Sequence, residues 1–478
     1  MKHFASLIVI LFAVNLLGGC VVRHGTKQAT PKQLQLQFLS NGVSAAHRGD
    51  YSTALAIFRP LARQGNAAAQ FNLGRMYEYG QGVPKDLARA VEPFRKSAAQ
   101  GNADGENSLG VRYEEGEGVP QDFDQALMLY RKSFAKGNLK AENNIGHLYN
   151  YGHGLPLDPV EAVKWYEKSA SQGYAVAEYN LGVMYDQGRG VPANHAKAVT
   201  WYQRAALQDE ADAQFNLAIA FERGEGVTKN VEKAMHWYLE AALRGQTMAQ
   251  FNLGNIYQHG LDGQKIDCVK AVAWYLKAAK EGDDDAQNSL GILYQQGQCV
   301  KQNLAEAEAL YREAAQQKNS SAETNLGLLY MSGDGVTKDY GEAFTWYDMA
   351  ARQGNLQAIN DLGQMYLNGY GVTADYATAL RLYREAVQGG NADAILNMGA
   401  MYFYGQGIPR DLVAAYALAS LAASKEGRDR RPASISYKNL SKLMSKRQIE
   451  SGKNLVSRMQ QEGVLKALDD RTEMHETK

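Results

Sequence analysis

Proline is scarce in this chain, with 10 residues among 478, and cysteine scarcer still, with three. Hydrophobic residues make up 45% and aromatics 10%, so the chain is neither collagen-like nor low-complexity. Neither sign of charge is in excess, because 51 Lys plus Arg balance 51 Asp plus Glu. A nucleic-acid binder shows a basic surplus or stripe, so nucleic acid is not an expected partner. There is no CxxC and no HExxH, which removes the standard zinc motifs. No cofactor is expected. What is abundant is glycine, 47 residues in an otherwise helix-friendly, aromatic-rich composition. One compact core seldom grows past roughly 300 residues. Such a chain suits several domains or an extended array of one short unit.

The one long apolar run lies at the N-terminus. Phe4 to Leu17 is broken only by Ser6 and Asn15, and Leu17-Gly18-Gly19-Cys20 follows. The run is too short for a confident membrane span. It resembles a bacterial lipoprotein signal, cut before Cys20. The small residues before the cut let the chain lie extended in a peptidase groove. That resemblance implies acyl chains on Cys20, and two or more give stable anchoring. Val21, rather than Asp, follows the Cys. By the enterobacterial sorting pattern this implies the outer membrane, with the chain facing the periplasm. Residues 1–19 are then a signal peptide and 20–34 a polar tether.

Beyond the tether the chain repeats. A Leu-Gly-type pair places its second residue at Gly74, Gly110, Gly146, Gly182, Ala218, Gly254, Gly291, Gly327, Gly363 and Gly399. Every interval is 36 except one of 37, from Gly254 to Gly291. That period fits one helical hairpin per unit. Gly65-Asn66 and its equivalents end one helix and cap the next. Ala69, Leu73, Met76 and Tyr77 then form a stripe at helical spacing. Gly74 lets a neighbouring helix approach closely. Gly80 and Gly82 permit positive φ, and Pro84 opens the second helix with Asp86 near its start. Ala162, Trp165, Tyr166, Ser169 and Ala170 set the spacing of that helix.

Leu-Gly-x-x-Tyr, Gly-x-Gly-Val-Pro and Ala-x-x-Trp-Tyr-x-x-Ala-Ala-x-x-Gly at this period resemble the Sel-one-like repeat, a relative of the tetratricopeptide repeat. The resemblance covers ten units: 66–101, 102–137, 138–173, 174–209, 210–245, 246–282, 283–318, 319–354, 355–390 and 391–426. It implies an all-α, right-handed superhelical solenoid of helix-turn-helix repeats. A capping hairpin is expected at 35–65, capping helices at 427–466 with a Ser445/Gln448 capping box, and a disordered tail at 467–478. Departures are Ala218 for a Gly, Pro93 within a second helix, an extra loop residue in unit 246–282, and Cys299 for the second loop Gly.

No catalytic residue is singled out. His147 and His153 share one unit and read as surface histidines rather than a metal pair, so no metal site is expected. Glu114-Glu115-Gly116-Glu117 and Asp283-Asp284-Asp285 read as solvated or helix-dipole acids. Ser133-Phe134-Ala135-Lys136 matches the SxxK of penicillin-binding enzymes, but neither SDN nor KTG completes it. With Cys20 acylated, Cys268 and Cys299 remain. Stacking of adjacent units allows them to bond across two repeats; two separate buried thiols are the alternative.

The tetratricopeptide geometry implies a concave wall lined by positions three before and one after each repeat Gly. These are Phe71 and Arg75, Asn107 and Val111, Asn143 and His147, Tyr179 and Val183, Phe215 and Ile219, Phe251 and Asn255, Asn288 and Ile292, Thr324 and Leu328, Asn360 and Gln364, Leu396 and Ala400. Tyr179, Val183, Phe215, Ile219 and Phe251 are the expected partner-binding patch. The Asn positions are expected to hydrogen-bond a peptide backbone. The competing expectation packs the aromatics into the fold. The family implies an envelope-anchored adaptor for a protein or peptide, in assembly, envelope signalling or host interaction. Penicillin-binding, β-lactamase-like or cell-wall hydrolase activity is one alternative, and a non-catalytic peptidoglycan binder another.

Overall fold

The computed structural model describes residues 30–260, 265–425 and 437–476, and those residues form 25 helices and no strand. A leading hairpin pairs α1 (Pro31–His47) with α2 (Tyr51–Arg63). Ten hairpins follow: α3 (Ala67–Tyr79) with α4 (Leu87–Ala99), α5 (Ala103–Glu115) with α6 (Phe123–Phe134), α7 (Leu139–Tyr151) with α8 (Pro159–Ser171), α9 (Ala175–Gln187) with α10 (His195–Ala206), and α11 (Ala211–Arg223) with α12 (Val231–Leu243). Then come α13 (Thr247–His259) with α14 (Cys268–Lys280), α15 (Asp284–Gln296) with α16 (Leu304–Gln316), α17 (Ser320–Ser332) with α18 (Tyr340–Arg352), α19 (Leu356–Asn368) with α20 (Tyr376–Gln388), and α21 (Ala392–Tyr404) with α22 (Leu412–Lys425). The chain closes with α23 (Tyr437–Ser441), α24 (Lys446–Glu462) and α25 (Val464–Glu476). The fold is an all-helical solenoid of consecutive hairpins. The chain forms two compact units, residues 1–201 and 202–478, divided within α10.

Capping follows from the residue types. Asn66 caps α3 by accepting from the Ala69 amide at 2.9 Å, and Asp86 is itself the cap of α4, accepting from the Arg89 amide at 2.9 Å. Gly80 ends α3 in the left-handed region at φ 70°. Helix α4 runs through Pro93 without ending there. The unit 246–282 loop holding the extra residue includes 261–264, outside the described residues.

The repeat Gly serves close packing. A methyl group on Gly110 would lie 2.6 Å from the Tyr130 ring of the same hairpin. Tyr130, Tyr166, Tyr238, Tyr275, Tyr311 and Tyr383 are among the largest fully buried side chains. Three residues stand at positive φ where other repeats have Gly: Asp209, Lys318 and Cys299, at 67°, 67° and 63°.

Polar side chains close and join the hairpins. Ser97 donates to the Ala67 carbonyl at 2.7 Å and Ser169 to the Leu139 carbonyl at 2.9 Å. Gln172 donates to Glu142 at 2.9 Å, and Gln353 to Glu323 at 2.7 Å. These bonds join the end of a second helix to the start of its own first helix. Asparagines link one hairpin to the next: Asn144 donates to Asn107 at 3.1 Å, Asn180 to Asn143 at 2.9 Å, Asn325 to Asn288 at 2.9 Å and Asn397 to Asn360 at 2.9 Å.

Two expectations at the ends are corrected. The tether stops short of residue 34, because Thr30 and Gln33 make a capping box that starts α1 at Pro31. The tail at 467–478 is not disordered over its described part. Helix α25 buries Ala467 and Leu468, while Asp469 pairs with Arg384, Asp470 with Arg458 and Arg471 with Asp411. The polar composition hid a cap whose charges are matched by earlier residues. It packs on α24 and α20, and α24 in turn covers α22, which is buried from Val413 to Ala419. The Ser445/Gln448 capping box opens α24 as expected.

Candidate functional site

The wall positions differ in burial, with exposed residues only in the row after the repeat Gly and buried ones only in the row before it. Three residues before the repeat Gly, Asn107, Asn143, Asn288, Thr324 and Asn360 are buried, Asn360 at 3% exposure. The four Asn accept the inter-hairpin bonds given above. They are therefore not available to a peptide backbone, which corrects that expectation: a buried amide with an internal partner has no reason to trade it for an external one. One residue after the Gly, Arg75, Leu328 and Gln364 are exposed, while Val111, Val183, Ile219, Ile292 and Ala400 are half-buried.

The expected patch splits along the same line. Phe215 is buried at 7% exposure against Tyr238, ring centroids 5.9 Å apart, so it belongs to the core. Phe251 is half-buried and packs 5.9 Å from Tyr275. Tyr179, Val183 and Ile219 are half-buried. Two clefts open elsewhere along the first helices. In the 202–478 unit a cleft of about 610 Å³ is lined by Ile292, Gln295, Gln296, Asn325, Leu328 and Asp334, with Gln302 and Leu304. In the 1–201 unit a cleft of about 340 Å³ includes Phe71, Arg75, Tyr79, Val111 and Lys140. Arg112 also lines it and pairs with Glu78 at 3.3 Å, with Glu115 at 2.7 Å and with Glu117. Burial, opposed by Arg112, pushes the Glu115 carboxyl up to about 6.

Cys268, at the start of α14, and Cys299, in the loop after α15, form a disulfide with Cα atoms 4.9 Å apart. Cys299 holds the left-handed conformation that Gly holds in other repeats. Cys20 lies outside the described residues.

Ser133 is fully buried and donates to the Ala103 carbonyl at 2.7 Å, while Lys136 pairs with Glu106. Ser97 and Ser169 make the same bond one repeat away on either side. The SxxK match is thus a hairpin closure, with no open face for a substrate.

The acids at 114–117 do not sit at a helix start. Glu114 lies in the last turn of α5 with its side chain only 12% exposed, and it meets both histidines. Its Oε1 lies 2.8 Å from His147 Nδ1 and 3.9 Å from His153 Nδ1. Tyr130 donates to its Oε2 at 2.6 Å. Burial raises the Glu114 pKa, but the bonds from His147 and Tyr130 outweigh it and hold the carboxyl below its ordinary value. Motif reading missed this trio because Glu114 belongs to the preceding repeat, 33 residues before His147. A 36-residue period offered the signal, since it places the end of one first helix beside the next.

A family model described as Sel1 repeat matches ten consecutive segments: 67–102, 103–138, 139–174, 175–210, 211–246, 247–283, 284–319, 320–355, 356–391 and 392–426. Among solved structures, the chain is similar to c5321, described as a protective antigen present in uropathogenic Escherichia coli strains displaying an SLR fold. Identity is 30%, coverage 92% of this chain and 94% of that one, and the TM-score 0.66. A Sel1 repeat protein from Oxalobacter formigenes is 30% identical over 51% of this chain and 96% of that one, with a TM-score of 0.47. Among curated proteins, DAP3-binding cell death enhancer 1 of Rattus norvegicus is 40% identical over 50 residues, 10% of each chain. The chain thus spans about a tenth of the length of the curated relatives it matches.

Proposed function

The chain belongs to the Sel1 repeat family, and from that premise we propose that it is a lipid-anchored scaffold that grips a protein or peptide at a bacterial cell envelope. The observation carrying this reading is the division of the wall. Positions that could tie a partner's backbone are spent on the fold, while the row one turn further on stays accessible and differs between repeats. Within residues 202–478, Ile292 and Leu328 flank the larger cleft, and Leu328 is 47% exposed. An apolar side chain of an extended peptide fits between them. Gln295, Gln296 and Asp334 offer donors and acceptors to its flanks.

The anchor rests on Leu17-Gly18-Gly19-Cys20. The Cys268–Cys299 disulfide supports an oxidising compartment. The description of c5321 as a protective antigen accords with a place at the envelope. Val21 favours the outer membrane, with the solenoid on its periplasmic side.

The test is crosslinking in cells followed by mass spectrometry, with the full chain and an Ile292→Ser/Leu328→Ser variant. Capture of one dominant protein or peptide, lost in a variant that keeps its helical signal and a cooperative melting transition, is the expected result. Equal capture by the folded variant rejects this cleft. The anchor is tested separately through Cys20→Ser, which should end palmitate incorporation and move the chain out of the membrane fraction.

A further inference from the structure

We propose that Glu114, His147 and His153 form a binding site for a first-row divalent transition metal ion, Zn²⁺ being the best match to the donor set. Two imidazoles and one carboxylate are the ligands such ions take, and three protein ligands leave a fourth position for water. The three donor atoms all lie within 4.8 Å of one another. Two donors about 2.0 Å from a tetrahedral ion stand about 3.3 Å apart. The distances of 2.8 Å and 3.9 Å from Glu114 Oε1 to the two Nδ1 atoms bracket that value. Small side-chain rotations suffice to seat an ion.

Three further observations point the same way. His153 Nδ1 is buried with no hydrogen-bond partner, an unmet demand that a metal would satisfy. The rings are held in place: His153 stacks on Phe123 at 4.9 Å, and His147 lies 4.5 Å from Tyr151. The Tyr130 hydroxyl fixes the carboxylate through Oε2 and leaves Oε1 to the histidines. Among the described residues the cluster also occurs once. In the preceding pair of repeats the equivalent positions hold Glu78, Val111 and Glu117, so the trio is no part of the recurring framework. Each ion-bound imidazole would be neutral, with its Nδ1 lone pair on the ion and its proton on Nε2.

The experiment uses EDTA-treated full chain titrated with Co²⁺, read by visible absorption, and then with Zn²⁺ in competition. One equivalent per chain is expected, with the strong bands of a four-coordinate nitrogen and oxygen site, and Zn²⁺ should raise the melting temperature. His147→Ala/His153→Ala should weaken Zn²⁺ binding at least tenfold and abolish that rise. Glu114→Gln, which keeps a partner for Tyr130, should weaken binding in the same direction. No saturable binding overturns the proposal. So does one equivalent bound with unchanged affinity by the folded double variant, which would place the ion on other histidines.

Discussion

Two rows of side chains lie one helical turn apart on the same face of the first helices, and their circumstances differ. The row three residues before the repeat Gly includes Asn107, Asn143, Asn288 and Asn360, all buried and bonded to the next hairpin. The row one residue after includes Arg75, Val111, Ile292 and Leu328, which line open clefts. A shared helical face therefore does not mean shared exposure.

The comparison can be broken or sharpened by substitution, taking the largest effect first. Gly110→Leu drives a side chain into the Tyr130 ring, and should cost about 3 kcal/mol. Urea unfolding checks it, and a loss under about 1 kcal/mol would show that the ring yields easily. In the buried row, Asn143→Ala strips Asn180 of its acceptor and should cost about 1–2 kcal/mol. A neutral result there would mean the linking bonds do not hold hairpins together.

Asp361 sits where other first helices have the donating Asn, such as Asn325, and burial pushes its carboxyl from 3.8 up to about 6. Between those values the native state binds more protons than the unfolded state, so its stability falls as pH rises through the window. Asp361→Asn should be more stable than the parent by about 1–2 kcal/mol at pH 7, with the gain gone below about pH 4. Melting curves across that range decide; a gain independent of pH would point to packing instead of charge. In the accessible row, Leu328→Ser should change stability by no more than about 0.5 kcal/mol. Ile292 packs against the Tyr311 and Leu326 cluster, so adding Ile292→Ser should cost about 1–2 kcal/mol more, the pair together removing partner capture.

Much of the fold was legible beforehand. The period, the Gly at each hairpin's close approach, the Asn caps and the Ser445 capping box all rest on interactions within some 36 residues, which local spacing reveals. The site was less legible. Helical periodicity placed both wall rows on one face and could not say which one the next hairpin would cover. Phe215 read as a partner contact although Tyr238 lies in the same repeat, because spacing along the chain does not say whether a ring turns outward or onto its own second helix. His147 and His153 read as isolated surface residues because their carboxylate comes from another hairpin. The tail read as disordered because Arg384 and Asp411, which answer Asp469 and Arg471, lie 85 and 60 residues earlier.

By itself the amino-acid order determined that hairpins of paired helices would form and recur, since caps, turns and stripes act over a few residues. Tertiary structure alone decided which polar side chains are consumed between hairpins, which stay open, and that one carboxylate meets two histidines. Those outcomes depend on contacts between separate repeats, where the distance between side chains is set by packing and not by spacing along the chain.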